Sequence, residues 1–550
     1  MAVLLEDIVK SLELWMGLVK KTPTMIDPTL DPVVLVPGIA GSILNAVNHK
    51  TGRSERIWVR ILGADHEFRD KLWSRFDSST GQTVNLDSDT SIEVPEDRYG
   101  LYAIDCLDPD MIIGCDSVYY FHDMIVEMLK WGYQEGTTLF GFGYDFRQSI
   151  RFHETLEGLA AKLELVYNAS GGKKINIISH SMGGLLVKCF LALHSDIFEK
   201  YIKSWIAIAS PFQGAPGYIT STFLNGMSFL EGWEQNFFIS KWSMHQLLIE
   251  CPSIYELMGA LDFNWEHLPL LEVWKERCNS NGDPTIMLET YPPVQAVSVL
   301  KEALENNMVT YGGADIALPF SIEILKWANE TRNVLNRAKM PTQVKFYNIY
   351  GTSYDTPHSV SSYGSRDKPV SELKQLPFVT PNYIYVDGDG TVPTESAKAD
   401  GLNAEARVGV PGDHRGILCD RHVFRIVKHW LKADRDPFYN PVNDYVILPT
   451  LFDDMERHQE EGGVQITSLR EEWEIIAKHN EEIVREEDHN MAGEKTAVVG
   501  SVCVSHVGDD KTLHEEGADA HATVVVHHQP TLDGCLAVEL NGMISVSANA

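Results

Sequence analysis

Basic residues are in short supply: 46 Lys and Arg stand against 77 Asp and Glu, a formal charge of −31 over 550 residues. A chain so acidic cannot release counterions from a phosphate backbone, which excludes nucleic acid as a partner. It also repels an anionic bilayer, so any lipid contact must rest on apolar burial. Cysteine is sparse and scattered. The eight positions, 106, 115, 189, 251, 278, 419, 503 and 535, contain no Cys-x-x-Cys and no paired spacing, which reads as free thiols of a reducing compartment. No apolar run reaches the roughly 18 residues that cross a bilayer. Met1-Ala2-Val3-Leu4-Leu5 is cut short by Glu6 and Asp7, with neither a basic n-region nor a small-residue cleavage site, so it does not read as a signal peptide. These absences give the expectation of a cytoplasmic protein, peripheral on membranes at most, in which the sequons at Asn168 and Asn329 have no consequence.

What is present is ample apolar material, 44% of the chain, and one stretch around which the rest can be ordered. Ile175 to Val187 reads as an apolar, β-branched strand, then a tight turn of small residues with Ser181 at its apex, then an apolar helix. A serine on such a strand-to-helix turn has its hydroxyl thrust out above a sheet. Ser181 therefore matches the nucleophile elbow Gly-x-Ser-x-Gly, with Ser179 in the first glycine position. A serine in a turn is usually only a turn former, so the catalytic reading depends on partners elsewhere.

Three further stretches supply them. Val33-Val34-Leu35-Val36 is a buried strand running into Pro37-Gly38-Ile39-Ala40-Gly41. Acyl transfer needs fixed backbone N–H donors where the carbonyl oxygen becomes negative, and in serine hydrolases they come from such a loop and from the residue after the nucleophile, here Ile39 and Met182. Tyr383-Ile384-Tyr385-Val386 leads into Asp387-Gly388-Asp389-Gly390-Thr391-Val392. A calcium loop fails there because Thr391 and Val392 occupy ligand and glycine positions, and a glycosidase pair would not lie on one turn; a carboxylate that orients a histidine remains. Arg407 to Pro411 is a last short strand, and the loop after it holds His414. Ser181, Asp389 and His414 then follow the chain order that an α/β-hydrolase demands.

Strand and helix alternate from 33 to 194, which predicts a mostly parallel sheet. Helices are expected near 119–132, 152–168 and 417–432, and Asp145 and Arg147 are placed to pair and brace the loop beneath the elbow. Trp58, Phe68, Trp73 and Phe76 suit either a core flap or part of a lipid pocket, and core is the reading favoured. From 217 to about 340 the rhythm stops, and the segment carries Phe223, Phe229, Trp233, Phe237, Phe238 and Trp242 with few charges between them. That composition suits an apolar lid or lipid-binding cap above the site; a helical cap with its own small core is the other reading. The organisation expected is an amphipathic N-terminal helix and linker (1–30), a first part of the hydrolase core (31–216), the cap or lid insertion (217–340), the second part of the core (341–450) and an acidic, helical and Val-rich appendage (451–550). The N-terminal helix, with Leu5, Ile8, Leu12, Trp15, Met16 and Val19 on one side, either packs on its own domain or lies on lipid.

In order and spacing, Val36-Pro37-Gly38, Tyr144-Asp145-Phe146-Arg147, Ser179-His180-Ser181-Met182-Gly183, Ser210-Pro211-Phe212-Gln213-Gly214, Tyr350-Gly351-Thr352, Gly388-Asp389-Gly390-Thr391-Val392 and His414 together resemble the lecithin:cholesterol acyltransferase family over residues 31–430. The resemblance implies an α/β-hydrolase fold, Ser181 as acyl-ester nucleophile, Asp389 and His414 as its charge-relay partners, a phospholipid acyl donor and no metal or other cofactor. The function expected is thus a serine-dependent lipid acyl hydrolase or O-acyltransferase working through an acyl-serine intermediate, in transient contact with a zwitterionic membrane surface. Whether water or an alcohol such as a sterol or diacylglycerol collects the acyl group stays open, as does the ester position cleaved. The alternatives are a carboxylesterase on small soluble esters and a non-catalytic lipid-binding relative; the latter usually lacks a triad member, and none is missing here.

Overall fold

Val33–Val36 and Ile175–His180 are buried at every position and Ile202–Ile208 at all but one. Strands that read as continuous apolar runs must be covered on both faces, which is the situation of a parallel sheet flanked by helices. In the computed structural model, which describes residues 26–59, 71–109, 118–226, 241–278, 284–311 and 313–433 and the strands at 472–473, 520–530 and 536–546, these segments form the middle of a six-stranded sheet. Its members are β1 (Val33–Val36), β2 (Leu139–Gly141), β3 (Ile175–His180), β4 (Ile202–Ile208), β5 (Lys345–Thr352) and β6 (Ala406–Pro411), in the order β2-β1-β3-β4-β5-β6. Every pairing is parallel. The register sets Val36 opposite Ser179 and His180 opposite Ile208, so the carboxyl ends of β1, β3 and β4 lie level. This is the α/β-hydrolase arrangement expected.

The helices that position the site are α1 (His122–Trp131), α2 (His153–Ala169), α3 (Met182–Leu193), α4 (Pro216–Asn225), α5 (Ile322–Leu335) and α6 (Arg421–Trp430). α3 is buried from Met182 to Leu191 with no polar face, as a helix in the middle of a core must be. Its one cation, Lys188, donates to the Asp400 carbonyl at 2.7 Å, and burial lowers the amine to about 8. The amphipathic helix expected over 4–20 lies outside the described residues.

The cap departs from expectation. Between 217 and 340 the chain carries strands as well as helices: Leu271–Cys278 and Pro284–Tyr291 form a hairpin, and Met308–Tyr311 pairs with Ala314–Ala317. The hairpin joins Tyr354–Tyr363 and Pro381–Gly388 in a second, four-stranded sheet. The boundary drawn at 340 therefore runs through one structural layer, and the strand leading to Asp389 belongs to the second sheet instead of the hydrolase sheet. Alternation of apolar and polar residues marks a strand but does not say which strand it will pair with.

Asp145 and Arg147 do pair, at 2.6 Å. The Arg147 N–H also donates to Asp145 at 3.1 Å within that loop, and the buried guanidinium donates to the Leu72 carbonyl at 2.8 Å and to Asn85 at 2.7 Å, so the pair also fastens the 71–85 segment to the core. Trp58 and Trp73 are buried, as expected, and Phe76 packs on the same core; Phe68 lies outside the described residues. The chain divides into two units, Met1–Pro441 and Val442–Ala550. In the second, Ala520–Pro530 and Leu536–Val546 form an antiparallel hairpin that contains the Val524-Val525-Val526 run, and Glu472–Trp473, inside a stretch expected to be helical, pairs with it instead.

Glu256 is buried and accepts from the Ser149 hydroxyl at 2.5 Å, the Thr331 hydroxyl at 2.9 Å and the Ile150 N–H at 2.9 Å. Desolvation outweighs those bonds and raises its pKa to about 7. A carboxyl raised on folding contributes stability in full below its unfolded value near 4.5, and that contribution is lost as the pH rises through 7. Glu256→Gln, which mimics the protonated group, should leave the urea midpoint unchanged near pH 4.5 and raise it relative to the parent by pH 8. A midpoint difference independent of pH would contradict this account.

Candidate active site

Ser181 is the first residue past β3 and sits at φ 55° and ψ −130°. A non-glycine residue there stores strain of about 1–3 kcal/mol and persists only if its surroundings over-determine it. They do: the Ser181 N–H donates to the Ile208 carbonyl at 2.9 Å, and its carbonyl accepts the Gly184 N–H at 2.9 Å. The turn is also squeezed from outside. A Cβ on Gly183 would stand 2.4 Å from the Pro37 carbonyl oxygen, and one on Gly38 would stand 2.6 Å from Cβ of Ser181. Ser179, the departure from the glycine pattern, has a use: its buried hydroxyl accepts the Trp205 indole N–H at 2.8 Å. Ala40, Ala209 and Ser353 also have positive φ, so four of the seven such non-glycine positions among the described residues lie past the carboxyl ends of β1, β3, β4 and β5.

The sequence-predicted trio is brought together. His414, three residues past β6, places Nε2 2.9 Å from Ser181 Oγ and Nδ1 2.8 Å from Asp389 Oδ2. With a carboxylate at Nδ1 the ring proton belongs there, which leaves the Nε2 lone pair for the serine hydroxyl. Asp389 is 1% exposed, and its other oxygen accepts the N–H groups of Thr391 at 3.0 Å and Val392 at 2.7 Å. The His414 N–H also donates to the Asp389 carbonyl at 2.8 Å, so acid and base are tied by main chain as well as side chain. The neighbouring carboxylate, Asp387, is exposed and braces the turn through the Ser353 N–H and the Thr394 hydroxyl.

The N–H groups of Ile39 and Met182 donate to nothing among the described residues. Met182 opens α3, where the helix dipole is positive. The Gly38 carbonyl accepts the Gly41 N–H at 3.2 Å, and because a trans peptide sets its C=O and N–H in opposite directions, Ile39 N–H points away from that turn. The Pro37–Gly38 peptide is clamped at both ends, its carbonyl by the Tyr144 hydroxyl at 3.0 Å and its N–H by Tyr120 Oη at 2.7 Å. Tyr120 Oη in turn lies 2.6 Å from His180 Nδ1, and His180 Nε2 lies 2.8 Å from the His414 carbonyl. Sequence reasoning did not single out Tyr120 or His180; the one available signal was a histidine ending a fully buried strand.

The lid residues fare differently. Phe223 is 1% exposed and packs edge-on against Tyr255 and Phe320, with ring centroids at 4.7 and 5.2 Å, so it is a core residue of the cap and not a lid surface. Phe229, Trp233, Phe237 and Phe238 lie outside the described residues, as does the side chain of Trp242, whose backbone is in the helix Lys241–Leu248. Among the described residues no group of three or more His, Cys, Asp or Glu is placed to hold a metal ion.

A model of the lecithin:cholesterol acyltransferase family matches residues 76–402, a span that includes Ser181 and Asp389 and ends before His414. The chain is 59% identical to lecithin-cholesterol acyltransferase-like 4 of Arabidopsis thaliana over the whole of both proteins. It is 49% identical to phospholipase A(1) LCAT3 of the same plant, across 74% of this chain and 91% of that one. The lysosomal phospholipase A and acyltransferase of Bos taurus is 28% identical over 34% of this chain and 48% of its own length.

The contact between the elbow and the Pro37 loop can be tested through Gly183. Alanine is the better helix former, yet its methyl group would have to displace a backbone carbonyl. Gly183→Ala should slow labelling of Ser181 by a fluorophosphonate about 10²-fold, the penalty of a misplacement near 1 Å, while the protein stays folded. An unchanged labelling rate would mean that the loop is not poised over the serine.

Proposed function

The chain belongs to the lecithin:cholesterol acyltransferase family, and from that premise we propose that it cleaves acyl esters of phospholipids through an acyl-serine at Ser181. The observation that carries this is the unbroken line from Ser181 through His414 to Asp389, at 2.9 and 2.8 Å, beside two uncommitted N–H groups. His414 takes the serine proton as Oγ attacks the ester carbonyl and returns it to the departing alcohol. Asp389 holds the imidazole in the tautomer this requires and stabilises the imidazolium. The N–H groups of Ile39 and Met182 receive the oxyanion, and losing one such donor typically costs about 2.7–4 kcal/mol. Water as second acceptor releases a fatty acid, and an alcohol gives a new ester; the names of the two relatives, phospholipase A(1) and phospholipase A and acyltransferase, cover both outcomes.

The substrate presents itself at a lipid surface, and we assign the contact to zwitterionic bilayers. Tyr354, Phe378, Ile384 and Tyr385 are exposed apolar or aromatic residues, Phe378 at 81%, and the strand bearing Ile384 and Tyr385 ends one residue before Asp389. The charge of −31 opposes an anionic surface. Free thiols at Cys106, Cys189, Cys251 and Cys419 support a reducing, cytoplasmic location with peripheral membrane contact; cell fractionation checks it.

A fluorophosphonate should label the parent at Ser181, and Ser181→Ala should abolish both labelling and acyl release from phosphatidylcholine vesicles carrying a labelled acyl chain. Adding a sterol or diacylglycerol to the vesicles reveals transfer as a labelled ester in place of fatty acid. Activity that survives Ser181→Ala, or confinement of the parent's activity to short soluble esters, would overturn the assignment.

A further inference from the structure

Two side chains that the acyl-transfer steps leave unused stand between the parts those steps need. His180 precedes the nucleophile and is 1% exposed; Tyr120 lies just before α1 and is half-buried. Their bonds form one directed line. At one end the Gly38 amide can only donate, and at the other the His414 carbonyl can only accept. The imidazole of His180 must therefore carry its proton on Nε2, and its Nδ1 accepts the proton of Tyr120, whose oxygen accepts from Gly38. Each member is satisfied, and no other assignment of the protons satisfies all of them.

The line joins four segments far apart in the chain. At the Gly38 end it helps to clamp the peptide that precedes Ile39, the oxyanion donor. At the other end it holds the carbonyl of the base, whose N–H is held by Asp389, so the backbone of His414 is fixed on both sides. Burial, aided by the neighbouring His414, keeps the His180 pKa well below its ordinary value, so the ring stays neutral. That neutrality matters because its centroid is 4.8 Å from the His414 ring, which must itself become cationic during the reaction.

We propose that Tyr120 and His180 are positioning residues that lock the oxyanion loop and the His414 loop to each other across Ser181, so that donor, base and nucleophile are aligned before substrate arrives. The proposal rests on the acyl-transfer reading of Ser181. It assigns neither residue a contact with substrate.

The test uses the full chain, with functional serines counted by fluorophosphonate labelling and turnover of a chromogenic acyl ester expressed per labelled serine. Tyr120→Phe removes one hydroxyl from a ring that otherwise keeps its packing. It should lower kcat about 10²-fold and leave KM within twofold. His180→Phe should do the same, and the Tyr120→Phe/His180→Phe double variant should lose no more than the worse single one, because a line cut once is already cut. His180→Gln, which keeps a donor able to reach the His414 carbonyl, should recover part of the loss; it also serves if His180→Phe does not fold. A kcat per labelled serine within twofold of the parent in Tyr120→Phe, or losses that multiply in the double variant, would overturn the proposal. Failure of the parent to label at Ser181 would instead remove the acyl-transfer reading, and the proposal with it.

Discussion

Ser181 can keep a left-handed backbone only because its neighbours leave it nowhere else to go, and most of the architecture can be read as the means of doing so. Its amide extends the β3–β4 ladder by one residue, its carbonyl starts α3, and the Pro37–Gly38 peptide presses on it from the β1 side. Relaxing the serine would require β1, β3 and β4 to lose their common level. Those strands are buried on both faces, and close-packed interiors do not yield in small steps. The strain is thus held by the rigidity of the sheet.

The acid and base come from different sheets. His414 follows the last strand of the parallel sheet, whereas Asp389 follows a strand of the mixed sheet that the cap hairpin completes. Their alignment depends on how the two layers meet, and the meeting point is tight: a Cβ on Gly351, in β5, would lie 2.4 Å from Cβ of Asp389. Main-chain bonding between His414 and Asp389 spans the same seam. The cap is thereby structurally continuous with the acid of the triad, more than a cover laid over it.

This arrangement explains which features could be read from the chain. The parallel sheet was legible because strands buried on two faces must be apolar throughout, as Val33–Val36 and Ile175–His180 are. Ser181, Asp389 and His414 were legible because each closes or follows a strand in a fixed order. Sheet membership of the strand before Asp389 was not, since alternation specifies a strand and leaves its partner to long-range packing. Phe223 reads as lid from the sequence because an aromatic residue in an insertion looks the same whether it turns inward to Tyr255 or outward to substrate. The use of Ser179 as an acceptor for Trp205 had no signal, and the line from Gly38 to His414 had only the polar His180 at the end of a buried strand, because isolated polar residues show no period.

The polar accounting around Ser181 is uneven in a way that bears on the chemistry. Asp389 uses both oxygens, His414 both ring nitrogens and both backbone groups, and the Gly38 amide is committed to Tyr120. Against that background the N–H groups of Ile39 and Met182 stand out, since they donate to nothing among the described residues. A fold that satisfies every neighbour so fully has the means to satisfy these two as well. As the oxyanion donors proposed above, they set a demand for negative charge that a ground-state ester carbonyl meets only in part and a tetrahedral oxyanion meets in full. On the proposed reading the energy of that mismatch is released where the barrier lies.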